Sequence, residues 1–248
     1  TCYGASEIPA ILGENKYKSR NSAIKDKYGM VIDKISPKFK GNVFTQHGVK
    51  YEPLASMLFE QLTGHQVFEA AMIKHPIYSF IGASCDNFIL RTDIEEGSIL
   101  EIKCPYGRAV GKDGDIPEYY RSQVQTQLAC TGLDQAYYLE CDFKECKSEK
   151  EYNELKDFEY KGIIAELKSE ENILSYVYTK NLKHNTKEIL DKEIKKTING
   201  HKLNRYLWWY MPKNGYFLMT INRDYNWLDK NIEKIKTAWE EASIARSP

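Results

Sequence analysis

Apolar residues recur every three or four positions in the first part of the chain, which is the spacing of one helix face. The stripe predicts three helices, and a glycine follows each of them where a helix commonly ends. These helices cover about 5–12, 21–28 and 44–62, followed by Gly13, Gly29 and Gly64. Pro53 lies inside the third helix and is expected to kink or restart it, because proline lacks a backbone N–H donor.

The pattern then changes to short apolar or alternating runs, which predict β-strands. The predicted strands cover 67–73, 78–83, 87–91, 98–103 and 135–141. A turn-like segment at 92–97 joins the third and fourth of them into a hairpin. A further helix is predicted over 118–130, since Pro117 precedes its first turn and Gly132 follows its end.

Residues 142–204 differ from the rest of the chain because they are rich in Lys and Glu and contain few large apolar residues. This composition predicts solvated helices around one strand at 173–178. A partner-binding flap is the alternative interpretation of the same segment.

The end of the chain again shows regular patterns. It predicts a hairpin of 206–211 and 216–221, followed by an amphipathic helix over 227–242. The predicted fold class is therefore α/β (α+β), with a central mixed β-sheet flanked by helices. The predicted organisation is one domain over 1–248, a charged helical insertion at about 142–204, and a C-terminal hairpin plus helix at 205–245.

Composition and charge exclude several classes of protein. The 248 residues carry 35 Lys plus Arg and 35 Asp plus Glu, and this balance excludes a basic DNA wrapper but not a local basic groove. The 42% apolar content is enough for a core, and no apolar run is long enough for a membrane span or a signal peptide. The six cysteines form no C-x-x-C pair, which is typical of a reducing, intracellular compartment.

The most informative positions are two acids and a lysine on neighbouring predicted strands. Alternation along a strand places Glu101 and Lys103 on one face and Ile102 on the other face, in the core. The midpoint between Asp86 and Glu101 falls in the predicted turn, so the hairpin would set these two carboxylates opposite each other. Burying such a pair with an ammonium is costly unless the groups have a function.

Two converging carboxylates repel each other, and a bound divalent cation would remove this repulsion. Oxygen ligands suit Mg²⁺ or Mn²⁺, which can activate a water molecule and neutralise a phosphate. Lys103 would then orient or deprotonate the water, or stabilise developing charge. Taken alone, the pattern D…E-x-K also fits an exposed ion pair on a surface hairpin.

Three further groups of polar residues accompany these positions. Glu52 lies on the third predicted helix, away from its apolar stripe, and is a candidate third acid. Gln123 and Gln127 are one helical turn apart, with Tyr120 a turn earlier, and this stripe can hold phosphate or a water molecule. Solvated helix faces are the alternative for both groups. Ser6 stands at a helix start, where backbone N–H groups favour phosphate, although plain N-capping explains it equally well.

In this order, the motifs resemble the phage-lambda-type exonucleases, the YqaJ-like viral recombinase family within the PD-(D/E)xK nucleases. The segments that carry the resemblance are Gly4–Glu7, Gly48–Ala55, Gly82–Asp86, Leu100–Pro105 and Tyr120–Leu128. One such motif is weakly specific, but five in register are strongly specific. The Lys-, Asn- and Tyr-rich composition is typical of an AT-rich genome, such as that of a large DNA virus.

The resemblance implies a restriction-endonuclease-like core and a Mg²⁺- or Mn²⁺-dependent 5′→3′ exonuclease. The implied substrate is the 5′ end of duplex DNA, in viral recombination, repair or replication. The implied partner is a single-strand annealing or repair protein, and the implied location is the host cytoplasm, at a viral replication site, or the nucleus. No membrane association is implied, and homo-oligomerisation is left open.

The resemblance also implies a role for each matching position. The implied metal ligands are the carboxylates of Asp86, Glu101 and Glu52 and the carbonyl of Ile102. The implied catalytic residues are Asp86, Glu101, Lys103, Glu52 and Gln123, with Lys103 serving the attacking water. The implied phosphate contacts are Ser6, Ser84 and Gln123, and the implied DNA contacts are Tyr120 and Gln127.

The chain departs from the family pattern at several points. Cys85 stands where the family usually has a proline, and Asn87 stands where it usually has a glycine, which alters the turn but leaves the carboxylate. The phosphate-binding arginine that relatives carry before the Ala-Ser motif has no counterpart after Thr1, so strict 5′-end selectivity is not implied. The charged segment is longer than in compact relatives, so ring assembly is not assumed.

Other functions and other residue groups give weaker signals. A structure- or damage-directed endonuclease on the same core is one alternative, and a non-catalytic DNA-end-binding module is another. None of the five histidines stands in a known catalytic spacing, so all are predicted to be structural. The Trp208-Trp209-Tyr210 cluster is predicted to pack in the core or at a strand edge, with base stacking as the alternative.

Overall fold

The computed structural model describes residues 1–32, 42–90, 97–111, 114–171, 173–179, 182, 186–197 and 201–244. The helices of this part are α1 (Ile8–Leu12), α2 (Arg20–Ile32), α3 (Val43–Thr63), α4 (Glu118–Thr131), α5 (Glu149–Glu154), α6 (Lys187–Thr197) and α7 (Trp227–Ile244). The strands are β1 (Tyr3–Gly4), β2 (Gln66–Phe68), β3 (Ile73–Lys74), β4 (Ile81–Ala83), β5 (Asn87–Leu90), β6 (Ser98–Lys103), β7 (Gln135–Cys141), β8 (Lys144–Glu145), β9 (Tyr160–Ser169), β10 (Leu174–Val177), β11 (His201–Met211) and β12 (Tyr216–Asn222). No helix in these ranges combines the length and the apolar character that a membrane crossing needs.

A five-stranded mixed sheet forms the centre of the described structure, in the order β12-β7-β6-β5-β2. β6 and β7 run parallel, whereas the other neighbouring pairs are antiparallel. The predicted strands over 98–103 and 135–141 are confirmed, as is the predicted helix α4. The predicted fold class, a mixed sheet flanked by helices, is confirmed as well.

Helix α3 crosses one side of this sheet and carries much of the core. The Asn42 side chain caps its start by accepting a hydrogen bond from the Thr45 N–H at 3.0 Å. Its fully buried residues Tyr51, Leu54 and Leu58 join a cluster that includes strands of the five-stranded sheet and of a second, four-stranded sheet. The helix therefore fixes the two sheets against each other through apolar burial.

Strand β1, near the start of the chain, joins β3 and β4 in a third, small sheet. β4 pairs parallel with β1 and antiparallel with β3. α1, α2 and α7 pack beside it in a cluster of their own, and the Tyr3 hydroxyl donates to the Ala238 carbonyl at 3.1 Å. The predicted C-terminal helix is thus confirmed and packs against the beginning of the chain.

The predicted helical insertion at about 142–204 is wrong in its secondary structure. The described part of the segment contains β8, β9 and β10, which form an antiparallel sheet with β11 in the order β10-β9-β11-β8, together with the helices α5 and α6. The predicted strand at 173–178 is confirmed as β10. The prediction of a helical insertion failed because the average composition of the segment hid one short apolar run. Residues Gly162–Leu167 of β9 are all buried, and they form the centre of the sheet.

The predicted hairpin of 206–211 and 216–221 is also wrong. A tight turn does join the two strands, and the Gly215 N–H donates to the Pro212 carbonyl at 3.0 Å. However, β11 pairs with β8 and β9, whereas β12 pairs with β7. The two strands belong to different sheets, because β11 pairs along its length with β9 and β12 pairs with β7. The turn connects the two sheets.

Two predicted helix features and two strand boundaries need correction. α2 continues through Gly29, which has no left-handed backbone and so does not close it, whereas Gly13 and Gly64 do end their helices. α3 continues through Pro53 without restarting, because buried residues before and after the proline anchor both halves of the helix in the core. The run over 67–73 splits into β2 and β3, and 78–83 shortens to β4. The predicted turn at 92–97 lies almost wholly outside the described residues.

Candidate functional site

The predicted meeting of Asp86 and Glu101 is confirmed by the register of β5 and β6. Asn87 pairs with Leu100 and Phe88 with Ile99, so the next step of the same antiparallel register sets Asp86 opposite Glu101. The Asp86 carboxylate accepts a hydrogen bond from the Ile102 N–H at 2.6 Å. This bond fixes the aspartate at the edge where the two strands meet.

Glu101 is almost completely buried, with 1% of its surface exposed, and its carboxylate is held by three donors. Lys103, on the same strand face, forms an ion pair with its Oε1 atom. The Gln123 amide donates to Oε1 at 2.6 Å and the Gln127 amide donates to Oε2 at 2.5 Å, both from α4. Ile102 points into the core as predicted. The carboxylate is therefore fixed in position before any ligand binds.

The acids of the site crowd one another. Burial raises the pKa of Asp86 well above its ordinary value, and the neighbouring Glu101 and Glu52 raise it further, against the opposing effect of Lys103. Burial and then Glu101 also raise the pKa of Glu52, which is half-buried on α3. The structure therefore brings the predicted third acid into electrostatic range of the other two.

Lys103 is the cation of this cluster. Burial lowers the pKa of its ammonium, but the carboxylates of Glu101 and Asp86 outweigh burial and leave that pKa above its ordinary value. The ammonium also lies 5.0 Å from the centre of the Tyr120 ring. An ammonium held beside the acids in this way is suited to stabilise negative charge.

The donor set of the site has the chemistry that a hard divalent cation requires. Asp86, Glu101 and Glu52 supply carboxylate oxygens, and a bound cation would relieve the repulsion that raises the pKa of Asp86. Yet within the described ranges no three His, Cys, Asp or Glu residues already stand in positions that would hold a metal ion. Carboxylates of this kind could supply part of the oxygen shell of Mg²⁺, which usually keeps several water molecules.

Gln127 and Tyr120 lie at the site in different ways. The prediction that Gln127 contacts DNA is wrong, because its side chain is fully buried and its amide holds Glu101. Tyr120 is partly exposed beside Lys103, and its DNA contact remains a prediction. Gln123 is also buried, so it supports the Glu101 carboxylate from beneath.

The two predicted phosphate-binding serines are brought to the same region. The parallel pairing of β1 with β4 sets Gly4 beside Gly82, so the following Ser6 and Ser84 lie on neighbouring segments, and both are exposed. The alternative of plain N-capping by Ser6 is wrong, since α1 begins at Ile8 with Glu7 in the cap position and no capping side chain. The phosphate contacts themselves remain predictions.

One buried charged group beside the site was not predicted. Glu140, on β7, is the direct register partner of Lys103 and accepts two bonds from Arg108 at 2.6 and 3.0 Å. The Tyr138 hydroxyl donates to it at 2.7 Å. The signal was present in the sequence, because Glu140 interrupts an apolar strand as Glu101 does, but its partner Arg108 lies in an irregular loop.

The remaining predictions concern residues away from the site. Trp209 is fully buried in the core and Trp208 packs against the core of the four-stranded sheet, so the packing prediction is confirmed for both. His47 and His75 are buried, and the Nδ1 atom of His75 accepts two backbone N–H groups, which agrees with a structural role. The cysteines are free thiols.

Residues 1–134, more than half of the chain, match the family described as the YqaJ-like viral recombinase domain. This match covers all the acids of the site, Lys103 and the two glutamines. The chain belongs to the YqaJ-like viral recombinase family. The family expectation drawn from the five motifs is therefore confirmed.

Two curated proteins are similar to this YqaJ-like chain. It is 26% identical to "Uncharacterized protein R354" of Acanthamoeba polyphaga mimivirus, over 95% of this chain and 49% of that protein. It is 33% identical to YqaJ of Bacillus subtilis, over 54% of this chain and 41% of that protein. The mimivirus relative supports a viral origin, and the chain spans about half the length of these relatives or less.

Solved structures show the same fold at low identity. One is LHK-Exo of Laribacter hongkongensis, described as an alkaline exonuclease. The match covers 98% of this chain and 89% of LHK-Exo, at a TM-score of 0.62 and 19% identity. Another is a phage-related exonuclease of Haemophilus somnus. The match covers 99% of this chain and 95% of that protein, at a TM-score of 0.55 and 16% identity. The YqaJ-like chain therefore shares the fold of these two structures.

Proposed function

We propose that this YqaJ-like chain is a metal-dependent deoxyribonuclease that removes nucleotides from the 5′ ends of duplex DNA. The observation that carries the proposal is that Asp86 lies opposite the buried Glu101, which forms an ion pair with Lys103. The family assignment and the fold shared with proteins described as alkaline exonucleases support the same reaction.

The chain's own groups would divide the work of phosphodiester hydrolysis. Asp86, Glu101, Glu52 and the Ile102 carbonyl would hold Mg²⁺ or Mn²⁺, which supplies neutralisation of phosphate charge and acidifies the attacking water. Lys103 would stabilise the negative charge that develops on the phosphate, since its ammonium lies beside the metal-binding carboxylates. Gln123 and Gln127 would hold the Glu101 carboxylate in the productive orientation.

Preference for a 5′ end is the finer part of the proposal. The exposed hydroxyls of Ser6 and Ser84 are suited to donate hydrogen bonds to a terminal phosphate, and they follow the paired strands β1 and β4. Tyr120, beside Lys103, would contact the DNA strand near the scissile bond. The wider role would be viral recombination, repair or replication, in the host cytoplasm or nucleus, with a single-strand annealing or repair protein that receives the exposed strand.

The test compares a linear duplex with a covalently closed circle of the same sequence, each with Mg²⁺ and with a chelator. We expect nucleotide release from the linear duplex only, and only with the metal. A label at the 5′ end should be released before a label at the 3′ end. Rapid cutting of the closed circle would replace the proposal with an endonuclease, and metal-independent end binding without cleavage would replace it with a non-catalytic DNA-end module.

A further inference from the structure

A second concave surface lies beside the proposed catalytic groups. It is a cavity of about 600 Å³, a size typical of small-molecule sites. Its walls include residues from the segment before α2, from the loop after β6, from the start of α4 and from β7: Lys16, Tyr17, Arg108, Asp115, Tyr119 and Glu140. None of these residues has a role in the proposed hydrolysis.

The cavity is connected to Lys103 through the neighbouring strand β7. Glu140 is the cross-strand register partner of Lys103, so the floor of the cavity and the lysine belong to adjacent strands. Three aromatic rings, those of Tyr120, Tyr119 and Tyr17, follow one another from Lys103 to the cavity. Its ammonium lies 5.0 Å from the Tyr120 ring, which is 4.3 Å from the ring of Tyr119. The Tyr17 ring follows, 6.4 Å from Tyr119 in an edge-to-face arrangement.

The acids in the cavity wall are already compensated. Glu140 accepts bonds from Arg108 and Tyr138, and also from the Gly111 N–H at 3.1 Å. Asp115 is paired with Arg121 at 2.5 Å. What the wall offers to a ligand is therefore cationic and aromatic rather than acidic.

Tyr17 and Lys16 are the groups most open to a ligand. Tyr17 is 76% exposed, a high value for an aromatic ring that borders a cavity, and the Lys16 ammonium lies 5.0 Å from the centre of that ring. A flat ring beside an exposed ammonium matches a nucleotide, which combines a flat base with a negatively charged phosphate.

We infer that this cavity is a nucleotide subsite, in which a base of the DNA strand stacks on Tyr17 while its phosphate meets Lys16. The inference rests on the proposed function, because the subsite would hold a nucleotide of the same strand that is cleaved. It gives Tyr119 and Tyr120 a further role, since their rings would line the route between the subsite and Lys103. Binding there would contribute to affinity for the strand rather than to the chemical step.

The experiment measures binding of a short, dye-labelled, single-stranded thymidine oligonucleotide to the Glu101→Gln chain by fluorescence anisotropy. We expect Tyr17→Ala to weaken binding about 10-fold, in line with the stacking contribution of one aromatic ring, and Tyr17→Phe to retain it. Lys16→Ala should weaken binding and reduce its salt dependence. The matched control is Tyr225→Ala, a similarly exposed tyrosine whose hydroxyl bonds to Asp134, at the opposite end of β7.

Two results would overturn the subsite: unchanged binding by Tyr17→Ala, or an equal loss in Tyr225→Ala. Kinetics on the linear duplex separate this failure from failure of the proposed function. In an active chain, Tyr17→Ala should raise KM and leave kcat nearly unchanged. If the unaltered chain cleaves DNA but binding is indifferent to Tyr17, the subsite is wrong and the nuclease stands. If binding depends on Tyr17 but no chain cleaves DNA, the subsite stands and the nuclease is wrong.

Discussion

Each of the two larger sheets contains a glutamate that is only about 1% exposed, and these two glutamates have very different charged partners. In the four-stranded sheet, Glu166 accepts from Arg205 at 2.8 Å and from Asn204 at 2.6 Å, so one acid has one cation and one amide. In the five-stranded sheet, Glu101 shares Lys103 with Asp86, and Glu52 lies within range of both. Three acids there face one ammonium.

The pKa values follow this difference in charge balance. Burial opposes ionisation of Glu166, but the hydrogen bonds from Arg205 and Asn204 outweigh it and lower the pKa of that carboxyl. Burial and like charges raise the pKa of Asp86. A compensated acid stabilises a fold, whereas a cluster with excess negative charge persists at a cost and is typical of a ligand site. Burial alone would not have distinguished the two glutamates.

The largest expected effect comes from Asp86→Asn. The amide oxygen can still accept from the Ile102 N–H, so the fold should survive, but one metal-binding carboxylate is lost. We expect cleavage of linear duplex DNA to fall by at least about 10³-fold, the size seen when a key electrostatic group is removed. Thermal unfolding at neutral pH should show a gain of about 1 kcal/mol, since like-charge repulsion is relieved. Loss of both cleavage and folding would contradict this account of Asp86.

Lys103→Ala should have the next largest effect. Removal of the ammonium takes away stabilisation of developing charge, and we expect kcat to fall by about 10²-fold. Because arginine preserves the positive charge, Lys103→Arg should retain part of the activity. Steady-state kinetics with both variants checks this. A loss confined to KM would show that Lys103 only binds substrate.

Glu166→Gln should affect stability and leave cleavage unchanged. It removes the charge that pairs with Arg205, whose side chain is largely exposed, so we expect a loss of about 1 to 2 kcal/mol in the free energy of unfolding. Denaturant unfolding measures this loss, and the cleavage assay is the control. Reduced cleavage at full stability would mean that the four-stranded sheet contributes directly to the reaction.

The smallest expected effect is an opposite pH dependence of the two acids. The folded-state pKa of Glu166 is lowered, so its contribution to stability is present above the ordinary pKa and is lost as pH falls through the folded value. The folded-state pKa of Asp86 is raised, so its contribution is present below the ordinary pKa and is lost as pH rises through the folded value. Unfolding of Glu166→Gln and Asp86→Asn across acidic pH should therefore diverge from the unaltered chain in opposite directions. Parallel curves would contradict the contrast.

The central pair could be predicted from the sequence because it depends on local rules. Strand alternation placed Glu101 beside Lys103, and hairpin symmetry placed Asp86 opposite Glu101. The partners of β11 and β12 depend instead on which distant strand offers the longer match, and no local pattern records that choice. The strand β9 was missed because the average composition of its surroundings hid a short apolar run. The burial of Gln127 could not be predicted either, because it depends on how α4 packs on the sheet.

The central claim, that Asp86 just before β5 and Glu101 on β6 form a cation site, is tested most directly by thermal unfolding with and without Mg²⁺. A ligand at ten times its dissociation constant stabilises a folded chain by ~1.4 kcal/mol. We predict that Mg²⁺ or Mn²⁺ raises the midpoint of the unaltered chain by a few degrees and leaves Glu101→Gln unchanged, while Glu166→Gln keeps the full shift. An equal shift in Glu101→Gln would contradict the account.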